Sequence, residues 1–578
     1  MTTTESKELQ AESFLIADCG SINTRVLLFD VVDGAYRLIG HASAMTTIIA
    51  PWSDITQGIT NAIQQLSDVT GRQLLSSTGK ILTPEKNNKT GVDHFMLVVS
   101  AAPSLNTILV GLSADVSLTS ARRVLHTVYA QEVDTFSLSD PRSEDEQVAA
   151  IIKHKPDLIF LVGGTDGGAD QRLLTFARTV SLGVTMLTGT RRVSVLYAGN
   201  IEQREEIKKI MGDGIMLHAE NNVRPSLETE NLADAANMIG SLYENLRIKE
   251  LPGLHRIASW SQYPPLPTAR AFATIIQYFA ALQKGQVLGV ELGTESVTLV
   301  SASADHADLT IRSDLGMGHN ITNLLQHAKP AEIAYWMPSE ISHEEIRDFM
   351  VNKSLYPQTI ATSAEELHLE QAIAREMLRC ASQETVFDWR SGQRAPIPFR
   401  LLLVRGNTFT HTPRPGQIIA LLLDALQPVG IFAVALDRYG ILPALGALAQ
   451  KSPLAVVQTL ESKIMADLGW VVVPTGKGQP GQKALTIRIE SEQKTVYEGD
   501  VEYGTLEVFV LEHGRSQVTL TPSRRFDIGF GPGKSNTVTL PGGEVGLVVD
   551  ARGRPLQLPQ DTIARRSLIR QWLYDMGG

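Results

Sequence analysis

Cysteine is almost absent: Cys19 and Cys380 stand alone among 578 residues. Two thiols cannot build a disulfide framework, and neither has the Cys/His spacing of a zinc site. A reducing cytoplasm fits. Long hydrophobic runs are missing as well. The longest, such as IIALLLDAL from Ile418, fall well short of the roughly 20 residues that cross a bilayer, so no membrane span is expected. The opening stretch MTTTESKELQAES is polar and lacks the apolar centre of a signal peptide. Positive charge is in deficit, with 52 Lys and Arg against 62 Asp and Glu and a net charge of -10. No nucleic-acid partner is therefore expected. The basic pairs, such as Arg122-Arg123 and Arg524-Arg525, are scattered and read as solvated surface charge. A G-x-S-x-G elbow and a cobalamin-binding His motif are both missing. GFGPGKS (529–535) imitates a Walker loop, but Ile528 stands where the pattern needs Gly and no strand-to-helix context surrounds it.

What remains has the composition of a folded globular chain, 43% hydrophobic and 20% charged, and is too long for one core. From Ser13 the pattern reads strand, tight turn, strand, with a third strand in YRLIGHA. Residues 52–70 have helical spacing, with Ile55, Ile59, Ile63 and Leu66 on one face. The stretch 84–93 reads as a polar loop. Strands then alternate with helices, including DLIFLVGG and VSVLYAGN, which predicts an α/β region. The Pro-rich stretch 261–269 reads as a passage between two lobes. Helices are predicted at 268–283 and 364–382, and strands in FRLLLVRG and GIFAVALD. Past Gly469 the helical period disappears and short alternating segments predict an all-β domain. The organisation expected is a first lobe at 12–262, a second at 263–466, a small β-barrel or sandwich at 467–558 and a C-terminal helix at 559–578.

The strongest signal is an internal duplication. ADCGSINTRVLLFD (17–30) and VELGTESVTLVSAS (290–303) share an acidic residue, one variable residue, Gly, a hydroxyl residue and then an apolar strand. Asp18 aligns with Glu291, Gly20 with Gly293 and Ser21 with Thr294. Two such hairpins, one in each lobe, make a clamp for a polyphosphate. Glycine lets backbone N–H groups approach phosphate oxygens closely, and successive N–H groups in a turn form an anion-binding concavity. Ser21, Asn23 and Thr24 offer side-chain donors. A carboxylate repels phosphate, so Asp18 would act through Mg²⁺ and its waters. Cys19 lies within the first hairpin, but strand alternation turns it into the core.

Gly163-Gly164-Thr165-Asp166-Gly167-Gly168 follows a buried strand, where α/β ligand sites gather. Asp166 there can position an attacking water or a Mg²⁺-bound water, with Gly164 and Thr165 beside it. It can equally be a helix cap in a glycine turn. Asn200, at the end of the next strand, has the same two readings. Asp314, Gly316 and Gly318 read as structural.

These segments carry a resemblance. Asp18 to Thr24, Leu161 to Gly168, Tyr197 to Asn200, Glu291 to Thr294, Ser313 to Met317 and Leu403 to Asn407 resemble the MutL family associated with glutamate mutase and ornithine aminomutase, which is unrelated to the mismatch-repair protein of the same name. The similarity spans about residues 13–455. It implies the fold of the actin, sugar-kinase and heat-shock-chaperone superfamily, with two ribonuclease H-like lobes around a nucleotide cleft. It also implies ATP and Mg²⁺ as cofactors, and a protein client among adenosylcobalamin-dependent mutases. By the resemblance, Asp18, Gly20, Ser21 and Thr24 hold the β- and γ-phosphate side, Gly293 and Thr294 form the second phosphate loop, and Gly406 and Asn407 lie under the adenosine. Asp18 and Glu291 would be the metal ligands, and Asp166, positioning the attacking or a Mg²⁺-bound water, and Asp18, acting through Mg²⁺, the catalytic residues. The second loop carries Glu291 where the family pattern has Asp, and Arg405-Gly406-Asn407 replaces a Gly-Gly pair. Two functions stay open: an ATP-driven chaperone or reactivating factor, and a non-hydrolysing scaffold that keeps the cleft. A sugar-kinase-like activity has no substrate motif to support it.

Overall fold

The computed structural model describes residues 12–577 except 87–89, 169–170, 188–191, 258, 384, 386–397, 492–493 and 512–513. Most of the polar opening stretch and residues 87–89 of the expected loop lie outside this set. The fold is mixed α/β with a β-rich C-terminal region.

The two duplicated segments build the same local sheet. In the first, Phe14–Cys19 pairs antiparallel with Asn23–Val32 on one side and parallel with His94–Val99 on the other. Ala35–Met45 and the two-residue strand Leu266–Pro267 complete the five strands. In the second, Gln286–Leu292 pairs antiparallel with Val297–Ala302 and parallel with Phe399–Arg405, flanked by Ala307–Arg312 and Gly430–Leu436. Numbered within each copy, both sheets run 3-2-1-4-5. Antiparallel neighbours follow from short hairpins, whereas the parallel fourth strand needs a long crossover.

The connection from the fourth strand to the fifth in the first copy holds a further sheet, within residues 105–219. Its five strands are all parallel: Ala130–Phe136, Leu105–Val110, Leu158–Leu161, Ser194–Tyr197 and Met216–Ala219 in spatial order. Taken in chain order this is 2-1-3-4-5, a doubly wound arrangement. Leu158–Leu161 and Ser194–Tyr197 were legible as apolar runs, as buried parallel strands are, whereas Ala130–Phe136 and Met216–Ala219, only partly buried, were not.

The β-rich C-terminal region is not a detached unit. Ala466–Val473 pairs with Gly430–Leu436, and Gly546–Asp550 and Leu506–Phe509 follow, so the second sheet grows to eight strands. The sheet therefore crosses the expected boundary at residue 467 without a break. Lys483–Ser491, Lys494–Glu502, Arg515–Pro522 and Asn536–Pro541 form a separate four-stranded sheet, packed through Leu485, Ile487, Val518 and Leu520 onto Val472, Leu547 and Val549 of the large one, and Thr475–Gly476 pairs with Phe526–Asp527. Alternating polarity marks strands, but it does not say which strands pair.

Between the two duplicated sheets lie the helices Thr268–Gln283 and Leu442–Leu448. Phe272, Ile276, Leu442 and Leu445 join Phe14, Ile16 and Leu27 of the first sheet to Val287, Val300, Leu401 and Leu403 of the second in one core. The helices touch at Gly446, where an added Cβ would lie 1.9 Å from the carbonyl oxygen of Ala271. Backbone cannot swing aside as a side chain can. Gly446→Ala is therefore expected to lower unfolding stability by about 2 kcal/mol, read from the urea midpoint at unchanged slope.

A second tie between the halves is His126, whose carbonyl accepts the Ile311 N–H. Its Nδ1 is shielded from solvent and has no hydrogen-bond partner. Burial, and then Arg312, push the imidazole down to about 4. The unfolded chain takes up a proton near the ordinary value of 6.5, and the folded chain refuses it. Stability is thus lost as pH falls from there toward 4. Between pH 7 and about pH 5 the loss is about 2 kcal/mol, and His126→Phe is expected to remove that part of the pH dependence of the urea midpoint.

Candidate functional site

The two hairpin turns have matching geometry. Cys19 pairs with Thr24 and Leu292 with Val297, so each turn holds four residues. The Gly20 N–H donates to the Asn23 carbonyl at 3.0 Å, and the Gly293 N–H to the Ser296 carbonyl at 2.9 Å. A Cβ at either glycine would sit 3.1 Å or 2.9 Å from that same carbonyl oxygen, which explains the conserved pattern within the chain. Both turns open into one cleft. It is lined by Asp18, Gly20, Ser21, Asn23 and Arg25 from one side and by Glu291, Gly293, Thr294, Arg405, Gly406 and Asn407 from the other. Its volume is ≈ 120 Å³, below the roughly 300 Å³ where small-molecule pockets begin. A phosphate-sized group fits, and a whole nucleotide requires the two sides to part.

Two contacts hold the sides together. Arg25 Nη2 donates to Asn407 Oδ1 at 3.2 Å. Deeper in, Arg405 Nη2 lies 3.2 Å from Asp18 Oδ2, while its Nη1 lies 3.0 Å from Glu291 Oε1. The Thr268 hydroxyl, at the start of the central helix, donates to Asp18 Oδ1 at 3.2 Å. Burial works against the Arg405 charge, but Glu291 and Asp18 outweigh it and raise its pKa. Burial pushes the Glu291 carboxyl up, with Arg405 opposing. Tyr129, also lining the cleft, is pushed well above the usual phenol range by burial and the nearby Glu291. At the far wall, the buried Lys353 donates to the Thr359 carbonyl at 2.5 Å and lies 3.5 Å from Glu370.

Two polar atoms of this cluster have no hydrogen-bond partner: Glu291 Oε2 and Arg405 Nη1, the latter in ion-pair range of Glu291 but without hydrogen-bond alignment. They bear on the expected Mg²⁺. A divalent ion held by both Asp18 and Glu291 needs room between them for itself and its waters. A guanidinium that cannot deprotonate stands in that place. The residues present do not fit a Mg²⁺ shared by these two carboxylates. Among the described residues, no group of three or more His, Cys, Asp or Glu could hold a metal ion.

The cleft brings together most of the residues predicted for it, with four exceptions at two places in the chain. Thr24 is fully buried and its hydroxyl lies 2.9 Å from that of Thr46, so it fastens the hairpin to the next strand. Alternation explains this: Asn23 and Arg25 face the cleft and Thr24 faces away. Gly164, Thr165 and Asp166 do not line the cleft. They follow Leu158–Leu161 of the doubly wound sheet, and Asp166 Oδ1 accepts from the Ile201 N–H at 3.1 Å and Asn222 Nδ2 at 2.9 Å. Those bonds knit neighbouring loops of that sheet. Asn200 is buried, with Oδ1 accepting from the Glu202 N–H at 3.0 Å. The loop 313–320 supports the second turn: Met317 and Gly318 N–H groups donate to the Gly293 and Thr294 carbonyls, each at 2.9 Å. Arg25, Tyr129, Lys353 and the bridging role of Arg405 went unpredicted. The one signal in the sequence was a charge closing the apolar run LLLV.

These features define a mixed α/β protein with a duplicated glycine-hairpin cleft. The family model described as MutL protein matches residues 14–464, and the chain belongs to that family. Protein MutL of Clostridium tetanomorphum is 22% identical over 494 residues, covering 78% of this chain and 99% of its own. Among solved structures, nucleotide-free acetone carboxylase aligns over 86% of this chain and 82% of its own at 12% identity and a TM-score of 0.31. Component A of (R)-2-hydroxyglutaryl-CoA dehydratase from Acidaminococcus fermentans covers 75% and 96% at 8% identity and a TM-score of 0.25. The diol dehydratase-reactivating factor covers 78% and 100% at 11% identity and a TM-score of 0.26.

Proposed function

We propose that this chain binds ATP, or a closely related nucleoside triphosphate, between the two hairpin turns, and uses that binding to change its grip on a protein client. The observation that carries the reading is the pair of matching glycine turns facing each other across one cleft. Gly20, Ser21 and Asn23 offer donors from one side, and Gly293 and Thr294 from the other. Gly406 and Asn407 form the wall left for the nucleoside. A ligand too large for the closed cleft selects an arrangement in which the exposed Arg25–Asn407 contact is broken, and a client that distinguishes the two arrangements responds to nucleotide. The family resemblance supports an adenosylcobalamin-dependent mutase as that client and a reactivating role. No helix among the described residues is long and apolar enough to cross a membrane, and a cytoplasmic client is part of the proposal.

Calorimetric titration tests the binding step. Wild-type protein is expected to bind ATP saturably, and Gly293→Val, whose side chain meets the Ser296 carbonyl, to bind at least about tenfold more weakly, or 1.4 kcal/mol. No heat at millimolar ATP in the wild type would sink the reading. Hydrolysis is a separate matter. With Asp166 outside the cleft lining and Arg405 between the carboxylates, the geometry favours a nucleotide-binding scaffold over an ATPase. Phosphate release no faster than from buffer supports the scaffold, and sustained turnover restores the ATPase.

A further inference from the structure

The two carboxylates that the resemblance assigns to a metal already have a cation between them. Asp18 and Glu291 occupy equivalent positions, two residues before the glycine of each turn. Arg405 ends the strand Phe399–Arg405 and pairs in register with Glu291. Its guanidinium reaches one carboxylate at 3.0 Å and the other at 3.2 Å. Its side chain is 6% exposed, and those of Asp18 and Glu291 are 6% and 14% exposed. A buried carboxylate pair needs compensating charge, and removing that charge is costly. Here the compensation is covalently part of the chain and permanent.

We propose that Arg405 takes the place of a divalent cation in this cleft, so that a phosphate-bearing ligand binds there without metal. The proposal rests on the nucleotide reading above and adds the form of the ligand: the free polyphosphate, not its Mg²⁺ complex. Arg405 Nη1 is a buried donor on the cleft wall whose hydrogen bond is unmade. Guanidinium donors match phosphate oxygens in geometry and charge. A phosphate brought to Nη1 satisfies that donor, and Arg25 on the opposite side supplies a second cation. Four carboxylates also face the cleft, three of them beside a permanent cation and Glu295 beside a histidine. Glu370 faces Lys353 at 3.5 Å, Glu295 lies 3.9 Å from His319, and Asp18 and Glu291 share Arg405. To meet both Asp18 and Glu291, a Mg²⁺ ion carried by the phosphates would have to displace the Arg405 guanidinium.

The test uses the full chain in two measurements. Calorimetric titration with ATP is run in EDTA and again in Mg²⁺. Mn²⁺ uptake by the nucleotide-free protein is followed by electron paramagnetic resonance, for wild type and for Arg405→Gln. The wild type is expected to bind ATP with affinities in the two buffers that differ by less than about threefold, and to take up no Mn²⁺. Arg405→Gln, with its carboxylates uncovered, is expected to take up Mn²⁺ and to bind ATP at least about tenfold more tightly in Mg²⁺ than in EDTA. A tenfold preference of the wild type for Mg²⁺, or Mn²⁺ uptake by it, overturns the inference while leaving nucleotide binding intact. ATP binding in neither buffer overturns the nucleotide reading and, with it, metal-free ligand binding. An Arg405→Gln protein that folds but takes up no Mn²⁺ overturns Arg405 as the reason for metal exclusion. If that variant fails to fold, the wild-type comparison alone decides.

Discussion

Asp550→Ala is expected to lower unfolding stability by about 3–5 kcal/mol, the largest loss from any single change considered. Asp550 ends the strand Gly546–Asp550 and is fully buried. It meets Arg552 at 2.8 Å and Arg554 at 2.7 Å, and Arg552 reaches on to Asp424, itself paired with Arg375 at 2.9 Å. The Arg552 guanidinium also lies 4.3 Å from the ring of Trp572 in the C-terminal helix Thr562–Asp575. Alanine would leave two buried guanidiniums short of a partner, and that uncompensated charge causes the cost. Asp550→Asn keeps the shape and one acceptor, and is expected to fall between. Burial alone would push the Asp550 carboxyl up. Arg552 and Arg554 outweigh it and hold the group well below the ordinary value of 3.8. Its contribution is therefore complete above that value and lost as pH falls through the folded-state pKa. Urea midpoints of wild type and Asp550→Asn are expected to converge in strong acid and to separate above pH 4. Parallel curves across that range would contradict the assignment.

Gly406→Ala is expected to cost about 3 kcal/mol and to weaken ATP binding at least about tenfold together. Gly406 has φ +127, a conformation that side-chain-bearing residues rarely adopt. A Cβ there would also lie 2.2 Å from the carbonyl oxygen of Leu292, at the end of the second hairpin's first strand. Relief requires the strand carrying Arg405 to move away from the one carrying Glu291, which opens the ion cluster. Urea melts and ATP titration on the same preparation check both parts. Unchanged ATP affinity in a destabilised variant would separate the cleft from the strand ends that form its wall.

The hairpins were legible because the chain states them twice. A single Asp-x-Gly-Ser turn has many uses, but its repetition on a strand at 290–303 restricts the reading to a paired device. The 3-2-1-4-5 order was not legible, because an apolar run specifies a buried strand without naming its neighbours. Arg405 shows the same limit. Its partners lie 387 and 114 positions away, and no local pattern records that three charges will share one buried point. Thr24 failed on a detail that was available: Asn23 and Thr24 are consecutive on a strand, so both cannot face one ligand. Asp166 was drawn to the cleft by its glycine-rich setting, and such a setting serves any strand-to-helix crossing. The β-rich region was legible as texture, but the break in texture near Gly469 is not a break in the sheet. Gly469 itself pairs with Gly546 there.

That continuity sets an order of assembly. The edge strand Leu506–Phe509 pairs, among the described strands, only with Gly546–Asp550, which comes later in the chain. During synthesis the strand Ala466–Val473 leaves the ribosome with one edge bare, and it stays bare until roughly 75 more residues have followed. A bare, apolar edge is a template for pairing with other chains. The nascent protein is thus most prone to aggregate in the interval between these two strands, and a slowly translated or truncated message would lengthen that interval.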